Sequence, residues 1–299
     1  MSEEEYSASL EIGGTAWTAE PASAADRQMV EAEQAKARQR ARWYAAKVVV
    51  MRILFGAAFL ALWEGISGPW INPFFISKPS AILTTLIADL LNGRIWFHLQ
   101  TSTVELAGGY VIGTITGLFL GLAIGRSRTL ADVLDPYILM LYSIPRLVLA
   151  PLLILWLGIG IASKLALVAL VVFFLVFFNT YSGVKNVNEE LIQIARVMGA
   201  TRLQIFRKVI LRDAFPFIFT GLRMAVPYGI LGMVIAEFLA SNKGIGYYIF
   251  SATYQFDTAR LFAGIMVLMG YTLILNALMK LLHRRFLRWK DIERQEVST

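Results

Sequence analysis

Asn188–Pro216, NEELIQIARVMGATRLQIFRKVILRDAFP, is the most polar and charged stretch inside an otherwise apolar chain. Its basic residues Arg196, Arg202, Arg207, Lys208 and Arg212 cannot lie in a bilayer core, where each costs roughly 2.5–3.5 kcal/mol on insertion scales. The stretch is therefore an aqueous loop between two membrane spans. It has internal order: Leu191, Ile194, Ala195 and Met198 fall at helical spacing, as do Leu203, Phe206, Ile210 and Ala214 beyond Gly199. The reading is helix, Gly199 hinge, helix. A basic loop beside a membrane lies on the cytoplasmic side, so a rigid knob is presented there.

The rest of the chain agrees with a membrane setting. Its 299 residues are 57% hydrophobic and 16% charged, with a mean hydropathy of +0.60, too apolar for a soluble domain of this length. The net charge of +7 comes from short basic segments beside the spans, and no nucleic-acid motif accompanies it, so no nucleic-acid partner is expected. With no Cys there is no disulfide, thiol nucleophile or Cys-bound metal. His98 and His283 are far apart, and no metal site is expected. No Gly-rich phosphate loop and no nucleophile–base grouping occurs, so no catalytic residue is assigned.

In chain order, 1–46 reads as a cytoplasmic polar tail, disordered over 1–23 and helix-forming over 24–46. No apolar region precedes Tyr44, so a cleaved signal peptide is not expected. Spans follow at about 47–67, 101–125, 136–158, 164–183, 217–240 and 259–282, with the charged loop at 184–216 and a tail at 291–299. Ser80 is expected to cap an amphipathic helix over 81–92 lying on the outer surface. Gly109, Gly113, Gly117 and Gly121 recur every four residues, which suits close helix contact, within the chain or at a subunit seam. Pro145 and Pro151 should bend or unwind the third span, and the fifth begins after Pro216. The inner segments hold 18 Lys and Arg, and the outer ones hold 5, Lys78, Arg94, Lys164, Lys243 and Arg260. An all-α integral membrane protein with six spans and both termini cytoplasmic satisfies that bias.

Polar groups at membrane depth need water or protein around them. On that ground Ser143, Arg146, Asn179 and Glu237, with Pro145 at the bend, are candidates for a translocation pathway or gate. Asn179 is also suited to an interhelical hydrogen bond. Arg146 suits a small anion or a gate.

Gln193, Ile194 and Ala195, then Gly199, then Val209, Leu211 and Arg212 resemble the cytoplasmic signature of the membrane-spanning subunits of binding-protein-dependent ABC importers. Gln193 stands where that signature has an acid, Ile194 where it has a small residue and Arg212 where it has a proline. The flanks PRLVLAPLLILWLGIG (145–160), SKLALV (163–168) and GLRMAVPYGILGMVIAEFLASNKGIGY (221–247) are similar to the branch that imports nitrate, sulfonates and taurine. The resemblance covers roughly residues 50–290. It implies a type I importer-like permease of the bacterial inner membrane, non-catalytic, homodimeric and fed by a substrate-binding protein outside the membrane. Two cytoplasmic ATPases, which bind the ATP and Mg, would dock on a coupling helix, with Gln193, Ala195, Arg196, Gly199, Ala200 and Thr201 near the contact. The alternative is a secondary transporter or channel that works without an ATPase.

Overall fold

The computed structural model describes residues 24–286, so the expectations of disorder at 1–23 and of a tail at 291–299 lie outside it. Among the described residues the regular structure is helical, with one isolated bridge, Ser67–Ile71, and no strand. Two compact units divide at Trp63 and Glu64. The described part of the first is a single helix, the N-terminal portion of α1 (Ala24–Ile66), whose segment Gln39–Ile66 contains an apolar window long enough to cross a bilayer. The helix passes the expected boundary at 46 and 47 without a break.

The second unit contains α2 (Pro73–Ile76), α3 (Pro79–Leu91), α4 (Arg94–Gly125), α5 (Arg128–Ser143), a 3-10 turn (Arg146–Leu149), α6 (Ala150–Leu157), α7 (Ile161–Lys185) and α8 (Glu189–Val197). It continues through α9 (Arg202–Ile205), a π turn (Phe206–Ile210), α10 (Leu211–Ala240), α11 (Ile245–Tyr254) and α12 (Thr258–Phe286). Among the described residues five helices are long and apolar enough to span a membrane, and six spans result when Thr129–Ser143 and Arg146–Leu157, bent by 78°, count as one. The cause of the bend is local: Ile144 is extended (φ −70°, ψ 125°) ahead of Pro145, as a residue before proline prefers. The third span is thus a broken pair, bent at Pro145 as the sequence suggested.

The centre of the unit is α7, packed between α4 and α10. The glycine row of α4 faces α7 within the chain. A Cβ at Gly113 would lie 2.4 Å from the Ala169 carbonyl oxygen, and one at Gly117 2.7 Å from that of Phe173. Backbones this close gain dispersion and Cα–H···O contact that larger residues would prevent. An adjoining face of α7 receives α10, where Gly221 meets the Asn179 side chain, Gly183 meets Phe217 and Gly229 meets Val172 and Leu106. Leu106, Val168, Val172, Val176, Ala225, Ile230 and Met233 fill the middle.

Two boundaries differ from the sequence expectation. Ser80 is not the N-cap of α3. Pro79 occupies the first turn, where its missing N–H costs nothing, the cap is Lys78, and Ser80 donates both its N–H (2.9 Å) and its hydroxyl (2.7 Å) to Glu64. Nor does Pro216 open a span: the helix continues from Arg202 to Ala240 through Pro216 and Pro227. Each proline removes one ladder bond, but the side of α10 against α7 is buried, and packing of that kind sustains a proline inside a membrane helix.

Candidate coupling and passage sites

The segment between α7 and α10 is fixed by its caps. Asn188 accepts from the Glu190 N–H at 2.8 Å, and Glu189 and Glu190 occupy the first turn of α8, where acids oppose the helix dipole favourably. At the other end Gly199 takes φ +77°. Its N–H donates to Arg196 O and that of Ala200 to Ala195 O, each at 3.0 Å. This paired closure satisfies two end carbonyls and needs a residue free to enter the left-handed region. Directly after it, Thr201 and Gln204 form a reciprocal capping box, with bonds of 3.3 and 2.8 Å. The expected hinge at Gly199 is therefore a tied corner, which transmits displacement where a free hinge would absorb it.

Of the coupling residues named from the sequence, Gln193, Arg196, Gly199 and Thr201 are exposed, and Ala195 and Ala200 are half-buried. Sequence reasoning passed over Val197, 89% exposed, and kept Met198, 82% exposed, only as a periodicity marker. With Leu191 and Ile194 they form an uncovered apolar face at helical spacing. Beneath α8 lies a cavity of about 1290 Å³ whose lining includes Arg126, Asp132, Lys185, Gln193, Arg196 and Arg202. Arg126 lies over the Phe206 ring at 5.9 Å, so the end of α4 is tied to the coupling segment.

At the break in the third span the Arg146 guanidinium lies 5.0 Å from the ring centres of both Tyr142 and Phe174, and one of its N–H groups donates to Tyr142 O at 3.3 Å. These cation–π contacts hold the charge. Its Nε is buried with no partner, and no carboxylate pairs with Arg146 among the described residues. Ser143 is exposed and donates back to Leu139 O at 3.0 Å. Asn179 donates to Leu175 O at 2.8 Å, a bond within its own helix in place of the interhelical one expected. The close seat of Gly221 against the Asn179 Cβ accounts for the difference, since it presses the side chain along α7.

Glu237 departs most from expectation. It is fully buried and accepts from Ser102 Oγ and from the Gly246 N–H, both at 2.6 Å. The neighbouring N–H groups of Ile245 and Gly244 donate to Ser102 Oγ (2.8 Å) and His98 Nδ1 (3.1 Å). Three successive N–H groups opening α11 thus find acceptors on α4 and α10, and a carboxylate sits where the helix dipole favours it. Glu237 fastens the fold and lines no open surface. Beside it Lys164, also buried, pairs with Glu105 and donates to Ser241 Oγ at 3.1 Å. A buried lysine requires such a partner, so Lys164, counted from the sequence among the outer basic residues, is a structural charge.

Further along the same end, Asp89 of α3 accepts from Tyr248 (2.8 Å), Arg260 (3.1 Å) and Arg94 (3.3 Å), gathering α3, α4, α11 and α12. Burial pushes its carboxyl up, but the bonds from Tyr248 and Arg260 and the charges of Arg260 and Arg94 outweigh burial, so Asp89 sits below the usual carboxylate value. The Tyr248 phenol is raised by burial and by its bond to Asp89. No group of three or more metal-ligating side chains occurs among the described residues.

A family model described as "Binding-protein-dependent transport system inner membrane component" matches residues 109–288. The chain is 35% identical over 240 residues to the putative aliphatic sulfonates transport permease protein SsuC of Bacillus subtilis, covering 80% of this chain and 87% of that one. It is 32% identical over 254 residues to the taurine transport system permease protein TauC of Escherichia coli, covering 83% and 92%. It is also similar to the formylaminopyrimidine transport permease protein ThiX of Halalkalibacterium halodurans, at 31% over 238 residues, covering 79% and 94%.

Proposed function

We infer the function from membership: this chain belongs to the binding-protein-dependent transport system inner membrane components and is the permease subunit of an ABC importer. It is a multi-pass protein of the bacterial inner membrane. Its division of labour follows from the two sites. The exposed apolar face of α8 seats in a groove of a cytoplasmic ATPase, with Gln193, Ala195, Arg196, Gly199, Ala200 and Thr201 at the contact and Val197 and Met198 as its apolar anchors. Two such ATPases bind the ATP and Mg, and this chain hydrolyses nothing. A second copy of the chain completes the passage, and a substrate-binding protein delivers the solute from outside.

The observation that carries this reading is the uncovered face of α8 joined through a tied corner to α10. When the ATPases close, α8 moves with them, and the unbroken helix from Arg202 to Ala240 carries the displacement to the core, a rigid-body switch. Ser143, Pro145, Arg146 and Asn179 are the proposed passage residues. Arg146, a cation held by rings and matched by no described carboxylate, supports a small anion such as a sulfonate, taurine or nitrate as the solute. Isolation of the tagged chain from its native membrane tests the docking. A stoichiometric ATPase is expected to accompany the parent and to be lost from Val197→Asp, whereas retention of that ATPase by the variant would refute the assigned face.

A further inference from the structure

The N-terminal helix carries a charge pattern that the transport reading leaves unused. In α1, Lys36, Arg40, Trp43 and Lys47 follow one another at four, three and four residues, which places them along one side of a helix. All four are exposed, Trp43 by 68%. Lys47 Nζ lies 5.6 Å from the Trp43 ring centre, so the aromatic body and the cation share one place on the stripe. Arg42 is exposed beside it. No Asp or Glu occurs between Glu33 and Glu64, so Arg40, Trp43 and Lys47 have no acid within one helical turn on α1, and Glu33 neighbours only the outer end of the row at Lys36.

Beyond the row the helix becomes apolar apart from Arg52: Val49, Val50, Met51, Ile53 and Leu54 are exposed on it. At 43 residues α1 is about 65 Å long, against roughly 30 Å of hydrocarbon. The apolar end can therefore cross while the basic row remains in the headgroup layer. Tryptophan prefers that depth, and Lys and Arg there attract anionic lipid.

We propose that the stripe Lys36–Arg40–Trp43–Lys47 is a binding site for the headgroup of an anionic phospholipid, which fixes the depth of the first span. The phosphate is held between Arg40 and Lys47, on either side of Trp43, whose ring rests against the glycerol level, and Lys36 adds positive charge one turn farther out. A lipid is favoured over a soluble anion because the site runs directly into an apolar surface that acyl chains can cover.

The test is binding of fluorescent phosphatidylglycerol and of matched phosphatidylcholine to the full-length chain in neutral detergent, with inorganic phosphate as competitor. Phosphatidylglycerol is expected to bind preferentially and to resist phosphate. The triple change K36Q/R40Q/K47Q is expected to weaken it on the order of a hundredfold, from about fivefold per charge. Because removing three basic residues can disturb insertion, Arg40→Gln and Trp43→Ala serve as single changes, each expected to weaken binding several-fold, with Trp43→Phe restoring most of the loss. Equal binding of the two lipids would overturn the proposal. So would displacement by phosphate at the same occupancy, or parent affinity in all the variants.

Discussion

Asp89 is a single buried carboxylate that three donors keep ionised, and its energetics give a pH prediction with a definite sign. Its folded value is depressed, so its stabilising contribution is complete above the ordinary carboxylate value near 4 and is lost as pH falls through the lower folded value. Thermal unfolding of the purified protein in detergent should therefore show a falling midpoint below about pH 4. Asp89→Asn should remove that part of the fall and cost roughly 2–3 kcal/mol at neutral pH, because Tyr248, Arg94 and Arg260 lose a charged acceptor, although Arg260 keeps Asp257 at 2.7 Å. At Gly244 the limit is steric and conformational together: φ is +111°, and a Cβ would stand 2.1 Å from Glu237 Oε1. Gly244→Ala should lower stability by at least about 2 kcal/mol, whereas Gly270→Ala, with open space around it, should leave the midpoint at or slightly above that of the parent.

Between elements, the contact of α4 with α7 separates two kinds of glycine. A Cβ at Gly108 would meet the end of the Leu165 side chain at 2.7 Å, which can rotate away, but at Gly113 it would meet the Ala169 carbonyl at 2.4 Å, which cannot. Gly113→Ala should thus separate the helices and reduce the folded yield severely, and Gly108→Ala should be tolerated. Size-exclusion profiles and unfolding midpoints of the two variants distinguish them. This element was partly legible: the four-residue glycine period announced a close helix contact, and only coordinates could assign it to α7 within the chain. The break at Pro145 could likewise be read from the prolines, but not its 78° angle, which depends on what packs behind the turn. Pro216 misled because a proline in sequence signals a helix start as readily as a sustained kink, and packing against α7 decides between them. The Glu105–Lys164 pair joins residues 59 apart, and no local pattern connects them. At α8 the spacing revealed an apolar face, but the exposure of Val197 and Met198 depends on what the rest of the chain leaves uncovered.

Across the whole chain, polar groups divide by task. Those at the end that includes Asp89, Glu105, Lys164 and Glu237 are tied to neighbouring helices and hold them in place, with Glu105 Oε2 alone among these carboxylate oxygens left without a partner. Those on and around α8 are largely exposed, and Arg146 at the break of the third span has its charge unmatched by any described acid. On the proposed docking, this asymmetry leaves one end fastened and makes the other a firm handle. That handle would be the joint of α8, Gly199 and Thr201, whose closure depends on a left-handed residue. An L side chain at Gly199 is strained by about 1–2 kcal/mol, and an arginine there also projects a charge beside the apolar face.

The decisive measurement is ATP-driven uptake of a short sulfonate into vesicles reconstituted with the chain, its ATPase and its binding protein, comparing the parent with Gly199→Arg at equal insertion. Coupling through α8 predicts uptake at background in the variant while the chain stays folded in the bilayer; uptake at the parent rate, with ATP consumption still responding to solute, would contradict it.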